Sequence, residues 1–375
     1  MRVLHVIEDF SRLNTGVTAT VRALATWQRT HCEWVGVYAT GPVEPDLDDA
    51  LPVFADALLP ASRGWRFPRG GSSTLESLVR TWNVELLHVH GLWRAAPLLA
   101  GRVARRHGLP WVLSVHGQCS PWALYGQGLL KQWKKQAYWS AIARAPLSRC
   151  TALHAITPPE AEHLARFFDG RSADAVIPNA LNAAPGPAPE PAIAEPYFLF
   201  LGRLHPVKAI DRLIEAFARG SIPGPWRVVI AGPEEDPAYA AALRAQVARH
   251  SADSRIEFIG PVYGQRKAGL LAQAWAVIVP SHTEVVGMAN LEAAWASTPS
   301  ITTTAAGLHD WQAGGGMLVD GSVDALRDAL VAATGWTSDE RMARGKASRG
   351  LVSRRYILDA VGPQWLALYD SLVSR

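Results

Sequence analysis

Two short segments in the second half of the chain combine residue types that could hold an anion and a polyol side by side. The first is Gly202-Arg203-Leu204-His205-Pro206-Val207-Lys208, directly after the apolar run Tyr197–Leu201. Glycine lets backbone come close to a ligand. Arg203 and Lys208 are two cations just past the carboxyl end of the expected strand, and a diphosphate there would gain charge-assisted hydrogen bonds from both. A turn followed by two solvated cations is the alternative, and this segment alone does not decide between them. The second segment is Pro280–Ala293. It follows the run Ala276–Val279 and carries Glu284 and Glu292, eight positions apart (292 − 284 = 8). A helix beginning near Gly287 would leave Glu284 on the preceding loop and Glu292 inside the helix. The free N–H groups of such a helix start point at an anion, and a carboxylate can accept both hydroxyls of a ribose or of a sugar ring. A plain Ala-rich helix with two exposed acids is the rival reading. Both segments occurring in this order weakens it.

Such groups need a scaffold that brings strand ends together. Short apolar runs alternate with helical patterns along the whole chain. In the first half the expected strands are Val3–Ile7, Trp34–Tyr38, Leu86–His90, Trp111–Val115, Ala152–Ile156 and Ala175–Ile177, with helices such as Val17–Gln28 and Ala95–His107. Runs this short and apolar indicate parallel strands covered on both faces. Right-handed crossovers then give an open doubly wound sheet. Ala183–Pro196 is rich in Pro and Ala without periodicity and reads as a stiff linker. A second series follows, with strands Tyr197–Leu201, Arg227–Ala231, Ile256–Ile259, Ala276–Val279, Ser300–Thr303 and Gly316–Val319. Its helices include Ala209–Arg219, Ala238–His250, Gly264–Gln273 and Val323–Thr334. A last helix, about Leu358–Val373, carries Trp365, Leu368 and Leu372 at helical spacing. The expected fold is therefore α/β, two doubly wound Rossmann-like domains facing each other across a cleft. The domains run 1–182 and 197–357 around a linker at 183–196, and the helix in 358–375 is expected to pack back on the first domain.

Composition narrows the function. The chain has 375 residues, 49% hydrophobic and 19% charged, with formal net charge +4. This suits a globular protein of about two domains. The basic runs Arg102–His107 and Lys131–Lys135 are short, and the first reads as a solvated helix face. A nucleic-acid partner is not expected. Cys32, Cys119 and Cys150 are odd in number and follow no metal-ligand spacing, which fits buried free thiols in a reducing compartment. The N-terminus does not read as a signal peptide, and no run approaches the ~20 apolar residues that span a bilayer. The expected location is cytoplasmic, or peripheral at the inner face of the cell membrane. Asp46-Leu47-Asp48 has the letters of a metal-binding Asp-x-Asp but sits in a polar, proline-bordered stretch, so no essential metal is expected. Gly126-Gln127-Gly128 lacks the preceding strand and third glycine of a dinucleotide site.

Taken together, the two segments resemble the donor site of family 4 of the retaining glycosyltransferases, which have the two-domain GT-B architecture. The resemblance covers nearly the whole chain. It implies that Arg203 and Lys208, next to Gly202, hold the diphosphate of a nucleotide sugar. Glu284 would meet the donor sugar and Glu292 would bind the ribose hydroxyls. The backbone of Gly287, Met288, Ala289, Asn290 and Leu291 would cradle sugar and phosphate, and Gly260-Pro261-Val262 would lie beside the base. Val285-Val286 stand where the family usually has Gly-Phe, and Ala209 replaces a frequent glycine. These departures bear on which sugar is carried. In the first half, Asn14-Thr15-Gly16-Val17 matches the family's glycine-containing loop, with one glycine of the common pair missing, and Ile177-Pro178-Asn179 matches the segment before the linker. His116, in Ser114-Val115-His116-Gly117, corresponds to the family's histidine near the reacting sugar. His88-Val89-His90-Gly91 ends the neighbouring strand. His88 reads as a core residue or one supporting the site, and His90 stays open between core and acceptor side. The implied reaction is glycosyl transfer with retention, without metal or other cofactor, with Glu284, His116, Arg203 and Lys208 as the catalytic candidates. No carboxylate in the first half is an evident nucleophile. That favours a front-face path in which the donor's own phosphate oxygen takes the acceptor proton.

Gln118–Leu124 followed by Lys131-Gln132-Trp133-Lys134-Lys135 is similar to members that build bacterial surface polysaccharides such as lipopolysaccharide and exopolysaccharide. Their acceptors are glycans on a polyprenyl diphosphate. Trp122, Leu129, Leu130, Trp133, Tyr138 and Trp139 beside Lys131, Lys134 and Lys135 suit contact with an anionic membrane, and Trp122 joins His90 and His116 as an acceptor-side candidate. A core helix with a wet basic edge is the alternative. A nucleotide-sugar epimerase or hydrolase on the same architecture, and a non-catalytic nucleotide-sugar-binding protein, are the other functions the sequence leaves open.

Overall fold

A computed structural model of the chain describes residues 1–375 except 12–14, 42, 44–50, 57–69, 127, 183–194, 251–254, 309 and 375. Asn14, Asp46-Leu47-Asp48, Gln127 and most of the linker segment thus lie outside the described residues. The chain divides into two compact units. One is Met1–Asn182 with Ile357–Arg375, and the other is Ala183–Tyr356.

The first unit is built on seven parallel strands: β1 (Arg2–Ile7), β2 (Trp34–Ala39), β3 (Val53–Ala55), β4 (Leu86–His90), β5 (Trp111–Ser114), β6 (Ala152–Ala155) and β7 (Ala175–Val176). Their order across the sheet is β3-β2-β1-β4-β5-β6-β7. Alternation along each strand separates two faces. On one face Leu4, Leu87, Val89, Leu113 and Leu153 pack with Ala96, Ala100 and Val103 of the helix Ala95–His107. On the other, Val3, Leu86, Val112 and Ala152 pack with Leu24 of the helix Thr15–Gln28. Leu358, Val361, Trp365 and Tyr369 of the helix Leu358–Val373 complete that second face. Gly362 allows this helix to approach closely, since a Cβ there would lie 2.3 Å from the Trp27 ring.

The second unit carries six parallel strands: β8 (Tyr197–Leu201), β9 (Arg227–Ala231), β10 (Ile256–Gly260), β11 (Ala276–Val279), β12 (Ser300–Thr303) and β13 (Met317–Val319). Their order is β10-β9-β8-β11-β12-β13. In each sheet the chain starts at a central strand, winds to one side and then crosses to the other. The reversal falls between β1 and β4 in one sheet and between β8 and β11 in the other. Carboxyl ends at such a reversal diverge and leave a crevice, which is where open α/β sheets bind ligands. An 18-residue helix, Ser338–Arg355, closes the second unit and has no counterpart in the sequence reading. It buries Arg341, Gly345 and Ser348 with Leu351 and Val352, so its inner face carries no apolar stripe to read.

Candidate active site

Both sequence segments meet at the β8/β11 reversal. Gly202–Lys208 leaves the end of β8, and Ser281–Glu284 leaves the end of β11. Successive strand-end loops are tied together, the Gly202 N–H donating to the Ala231 carbonyl and the Gly232 N–H to the Gly260 carbonyl. The glycine that permits this contact is Gly232, where a Cβ would stand 1.8 Å from the Gly202 oxygen. His205 caps the short 3-10 turn Pro206–Lys208 by accepting the Val207 N–H at 3.2 Å. The next residue, Ala209, is fully buried with φ +50°, the left-handed region that favours glycine. This gives a physical reason for the glycine that the family often has there.

That turn aims Lys208 across the reversal. Its Nζ donates to Glu284 Oε1 at 2.5 Å, and Ser281 Oγ donates to the same oxygen at 2.8 Å. The pair is mostly buried, with side-chain exposures of 18% and 15%. Arg203, partly exposed, pairs with Glu235 from the loop after β9. Glu292 accepts from Lys267 Nζ at 2.6 Å. Glu235 and Lys267 were not singled out from sequence, and nothing in their spacing could have done so. The helix Met288–Trp295 begins at Gly287 with no side-chain cap, so its first N–H groups have no side-chain acceptor from the N-cap. Gly287 is required by packing as well, because a Cβ there would meet Asn290 Nδ2 at 2.6 Å. Asn290 is fully buried, donating to Thr302 and accepting from Ser300. Its side chain thus anchors the helix, as does buried Leu291, while Met288 and Ala289 are half-buried. Val262 is buried in the core with Leu199, Val229 and Leu271.

In the first unit the polar residues of β1, β4, β5 and β6 form a row on one face. His5 stands opposite His88, His90 opposite Ser114, and Ser114 opposite His154 in the strand registers. His5, His88, His90, Ser114 and His154 are buried, while His116, just past β5, is half-buried with φ +52°. Burial holds His5 and His154 down to about 4 and His116 to about 3, and it lowers His88 and His90 well below the ordinary histidine value. All five are therefore neutral imidazoles at pH 7. The turn at His116-Gly117 is braced by buried Glu160, which accepts the Gly117 and Ile156 N–H groups at 2.5 and 2.6 Å. His88 is buried and bonded to Tyr369 and Ser114, and His90 contacts His116 directly at 3.0 Å. His5, His154 and Glu160 were missed. For the two histidines the available signal was a polar residue recurring in phase in otherwise apolar strands; Glu160 lies in the helix Pro158–Phe167 and gave none. Gly16, near the start of the helix Thr15–Gln28, has no atom within 4 Å of where its Cβ would stand.

Residues 195–334 match the family model described as glycosyl transferases group 1, and residues 15–180 match the one described as glycosyl transferase 4-like domain. The chain is a glycosyltransferase family 4-like protein. A glycogen synthase of Mycobacterium tuberculosis is 29% identical over 240 residues, covering 62% of this chain and 55% of the relative. A D-inositol 3-phosphate glycosyltransferase of Xylanimonas cellulosilytica is 31% identical over 244 residues, covering 60% and 58%. This glycosyltransferase-like chain thus spans little more than half the length of the curated relatives it matches. Among solved structures, HepE of Anabaena in complex with UDP-glucose superposes with a TM-score of 0.76 at 16% identity, over 99% of this chain and 100% of that one. A sucrose-phosphate synthase of Thermosynechococcus elongatus gives 0.75 at 19% identity, over 100% of both. WaaG, a glycosyltransferase involved in lipopolysaccharide biosynthesis, gives 0.72 at 15%, over 99% of both. At these identities the likeness shows the GT-B fold.

The aromatic and basic segment of this GT-B protein forms two helices, Pro121–Tyr125 and Leu129–Tyr138. Leu129, Leu130 and Trp133 are 76%, 70% and 75% exposed, so the core-helix reading does not describe them. Tyr138 and Trp139 do enter the core, correcting their expected place at the surface. Packing explains this: Trp139 lies tilted against Phe167 and edge-on to Phe168, and Tyr138 donates to the Arg94 carbonyl. Lys135 is also held inward, its Nζ donating to the Ala123 carbonyl at 2.5 Å and lying over the Trp93 ring. Lys131 and Lys134 are exposed, and Trp122 is half-buried. Cys119 and Cys150 are buried, and Cys32 is half-buried, so full burial does not hold for all three thiols. Among the described residues, no helix is long and apolar enough to cross a membrane.

Proposed function

We propose that this chain transfers a glycosyl group from a nucleoside-diphosphate sugar to an acceptor hydroxyl, with retention at the anomeric carbon. The observation that carries the reading is the convergence, at one strand reversal, of Arg203 and Lys208 with Glu284 and an uncapped helix start. As the glycosidic bond to the donor breaks, negative charge grows on the departing diphosphate. Arg203, Lys208 and the N–H groups at Met288 and Ala289 meet that charge with dipoles and cations already in place. Glu284 takes the donor sugar's hydroxyls and Glu292 those of the ribose. By the family resemblance, His116 is a candidate for contact with the reacting sugar. In the front-face path the acceptor's proton passes to the leaving phosphate oxygen, so no carboxylate nucleophile and no metal is needed. HepE, a fold neighbour, has been solved with UDP-glucose, which makes uridine nucleotides the first donors to test.

We propose further that the acceptor is a polyprenyl-diphosphate-linked glycan of cell-surface polysaccharide synthesis, reached by peripheral contact at the cytoplasmic face of the membrane. The exposed face of Leu129, Leu130 and Trp133 beside Lys131 and Lys134 supports this. The deciding experiment screens a panel of nucleotide sugars for a rise in melting temperature. It then follows transfer, and the anomeric configuration of the product, with the donor that binds. Sugar release or isomerisation without acceptor would replace transfer with hydrolysis or epimerisation, and tight binding without turnover would leave a sensor.

A further inference from the structure

We infer that the histidine row is one polarised hydrogen-bond relay that fixes His116 as its Nε2–H tautomer and presents the Nδ1 lone pair to a ligand hydroxyl. The direction of every bond follows from one group that can only accept, the Ile177 carbonyl. His154 Nε2 lies 2.8 Å from it and must carry the proton, which leaves His154 Nδ1 as an acceptor. Ser114 Oγ, 2.8 Å away, therefore donates to His154 Nδ1 and accepts from His88 Nε2 at 2.8 Å. His88 Nδ1 is then bare and takes the Tyr369 hydroxyl proton at 2.6 Å. The Tyr369 oxygen accepts from Gln28 Nε2 at 3.3 Å, so the Gln28 oxygen faces His5 Nε2 at 2.7 Å and accepts its proton. His5 Nδ1 accepts from His90 Nε2 at 3.0 Å, and His90 Nδ1 accepts from His116 Nε2 at 3.0 Å. Each step leaves a single choice, given neutral rings. A charged His90 would instead donate to both His5 and His116 and leave His116 as the Nδ1–H tautomer, so the last step of the direction rests on His90 being neutral.

The relay ends at His116 Nδ1. That atom is enclosed and has no hydrogen-bond partner among the described residues. It borders a small cavity lined also by His88, His90, Ser114, His154 and Trp365. A buried acceptor left open is satisfied by an ordered water or by a ligand hydroxyl that displaces it. With the proton held on Nε2, Nδ1 can only accept, so it selects a hydroxyl over a carbonyl or phosphate oxygen. That this hydroxyl belongs to a sugar rests on the proposed function; the tautomer itself does not. Gln28, His5, His90 and Tyr369 are positioning residues, acting through His116 without touching ligand.

The test uses the full chain labelled with 15N-histidine and a long-range 1H–15N correlation spectrum at pH 7.5, with His116 assigned by its loss in His116→Gln. Wild type is expected to show His5, His88, His90, His116 and His154 all in the Nε2–H form. Tyr369→Phe keeps the ring but cuts the bond that orients Gln28, and Gln28→Leu removes the acceptor for His5. Either is expected to turn His116 into a mixture of tautomers, with turnover down about tenfold and the KM for nucleotide sugar nearly unchanged. A wild-type His116 that is Nδ1–H or doubly protonated overturns the relay, and this spectrum decides even if a variant fails to fold. A pure Nε2–H His116 in a folded variant also overturns it. A chain inactive on every nucleotide sugar, yet with the five expected tautomers, removes the glycosyl-transfer reading and leaves the relay standing.

Discussion

Lys208 and Glu284, 76 positions apart in the chain, share a 2.5 Å ion pair across the β8/β11 reversal, and Ser281 holds the same carboxylate oxygen. The acid therefore keeps the lysine ammonium in place before any diphosphate arrives. Lys208→Ala should lower kcat/KM by about 10²–10³, the range for one lost donor to developing charge. Arg203→Ala should fall in the same direction. Glu284→Gln keeps the shape but frees the ammonium. Turnover should drop while UDP binds as tightly as to wild type or more tightly, read by titration calorimetry. Wild-type rates in both cation variants would remove the diphosphate role.

Turnover should survive a chelator. The two acids of the candidate site, Glu284 and Glu292, are each engaged by a lysine, an arrangement that meets phosphate charge with ammonium groups and leaves no acidic pair open. Reversible loss of activity in EDTA, with the fold intact by circular dichroism, would overturn this.

The buried histidines should make the protein acid-sensitive. Their folded values lie near 4 or lower for His5, His116 and His154, against about 6.5 unfolded, and His88 and His90 shift the same way. Between those values the unfolded chain binds more protons than the native one, so stability is complete above pH 6.5 and falls as pH drops. For His5, His116 and His154 this amounts to up to about 1.4 kcal/mol per pH unit each, and His88 and His90 add in the same direction. Acid unfolding monitored by tryptophan fluorescence should have its midpoint above pH 4.5. A midpoint below pH 4 would show that these rings charge in the folded state.

Wild type should co-sediment with anionic phosphatidylglycerol vesicles at low salt and release at high salt. Two exposed lysines near such a surface contribute roughly 1 kcal/mol each, which gives weak, salt-sensitive attachment. A variant with Leu129→Ser, Trp133→Ser, Lys131→Gln and Lys134→Gln should stay in the supernatant and bind nucleotide normally. Lys135 is left alone because it ties two helices together. Equal sedimentation of variant and wild type would refute the docking face.

Gly232→Ala should destabilise the second unit by roughly 1–3 kcal/mol, because the new methyl group meets the Gly202 carbonyl. The β8 loop that carries Arg203 must shift with it, so UDP affinity should weaken together with the denaturation midpoint. A variant as stable as wild type would show that these two loops can part at little cost.

The two sheets were legible because parallel strands buried on both faces are written as bare apolar runs. Tyr197–Leu201, Arg227–Ala231, Ala276–Val279 and Ser300–Thr303 could be bounded to the residue. The cation and acid segments were legible because strand ends set their places locally. What stayed hidden depends on pairing across distance. Lys267 meets Glu292 only through the packing of two helices, His5 meets Gln28 only through the packing of the helix Thr15–Gln28 on the sheet, and His5 meets His90 only through the pairing of β1 with β4. The helix Ser338–Arg355 escaped for another reason. Its buried Arg341 satisfies the carbonyls of Ala274 and Trp275, and Gly345 sits where a Cβ would come 1.9 Å from the Ser297 oxygen. An inner face made of arginine, glycine and serine leaves no hydrophobic period to read.

The helix that covers the histidine row comes from the far side of the second unit in chain order. Between Asn182 and Ile357 the ribosome must add 174 residues (356 − 183 + 1 = 174). At bacterial or eukaryotic synthesis rates that takes on the order of 10–35 s. Throughout that interval Val3, Leu86, Val112 and Ala152 lack Trp365 and Tyr369, and His88 lacks its hydroxyl donor. The second unit is continuous in sequence, whereas the first stays an open-faced intermediate until the helix Leu358–Val373 has left the ribosome. Vectorial synthesis runs from the N-terminus, yet the first unit cannot be completed first. Its apolar face stays uncovered longer than that of a domain continuous in sequence.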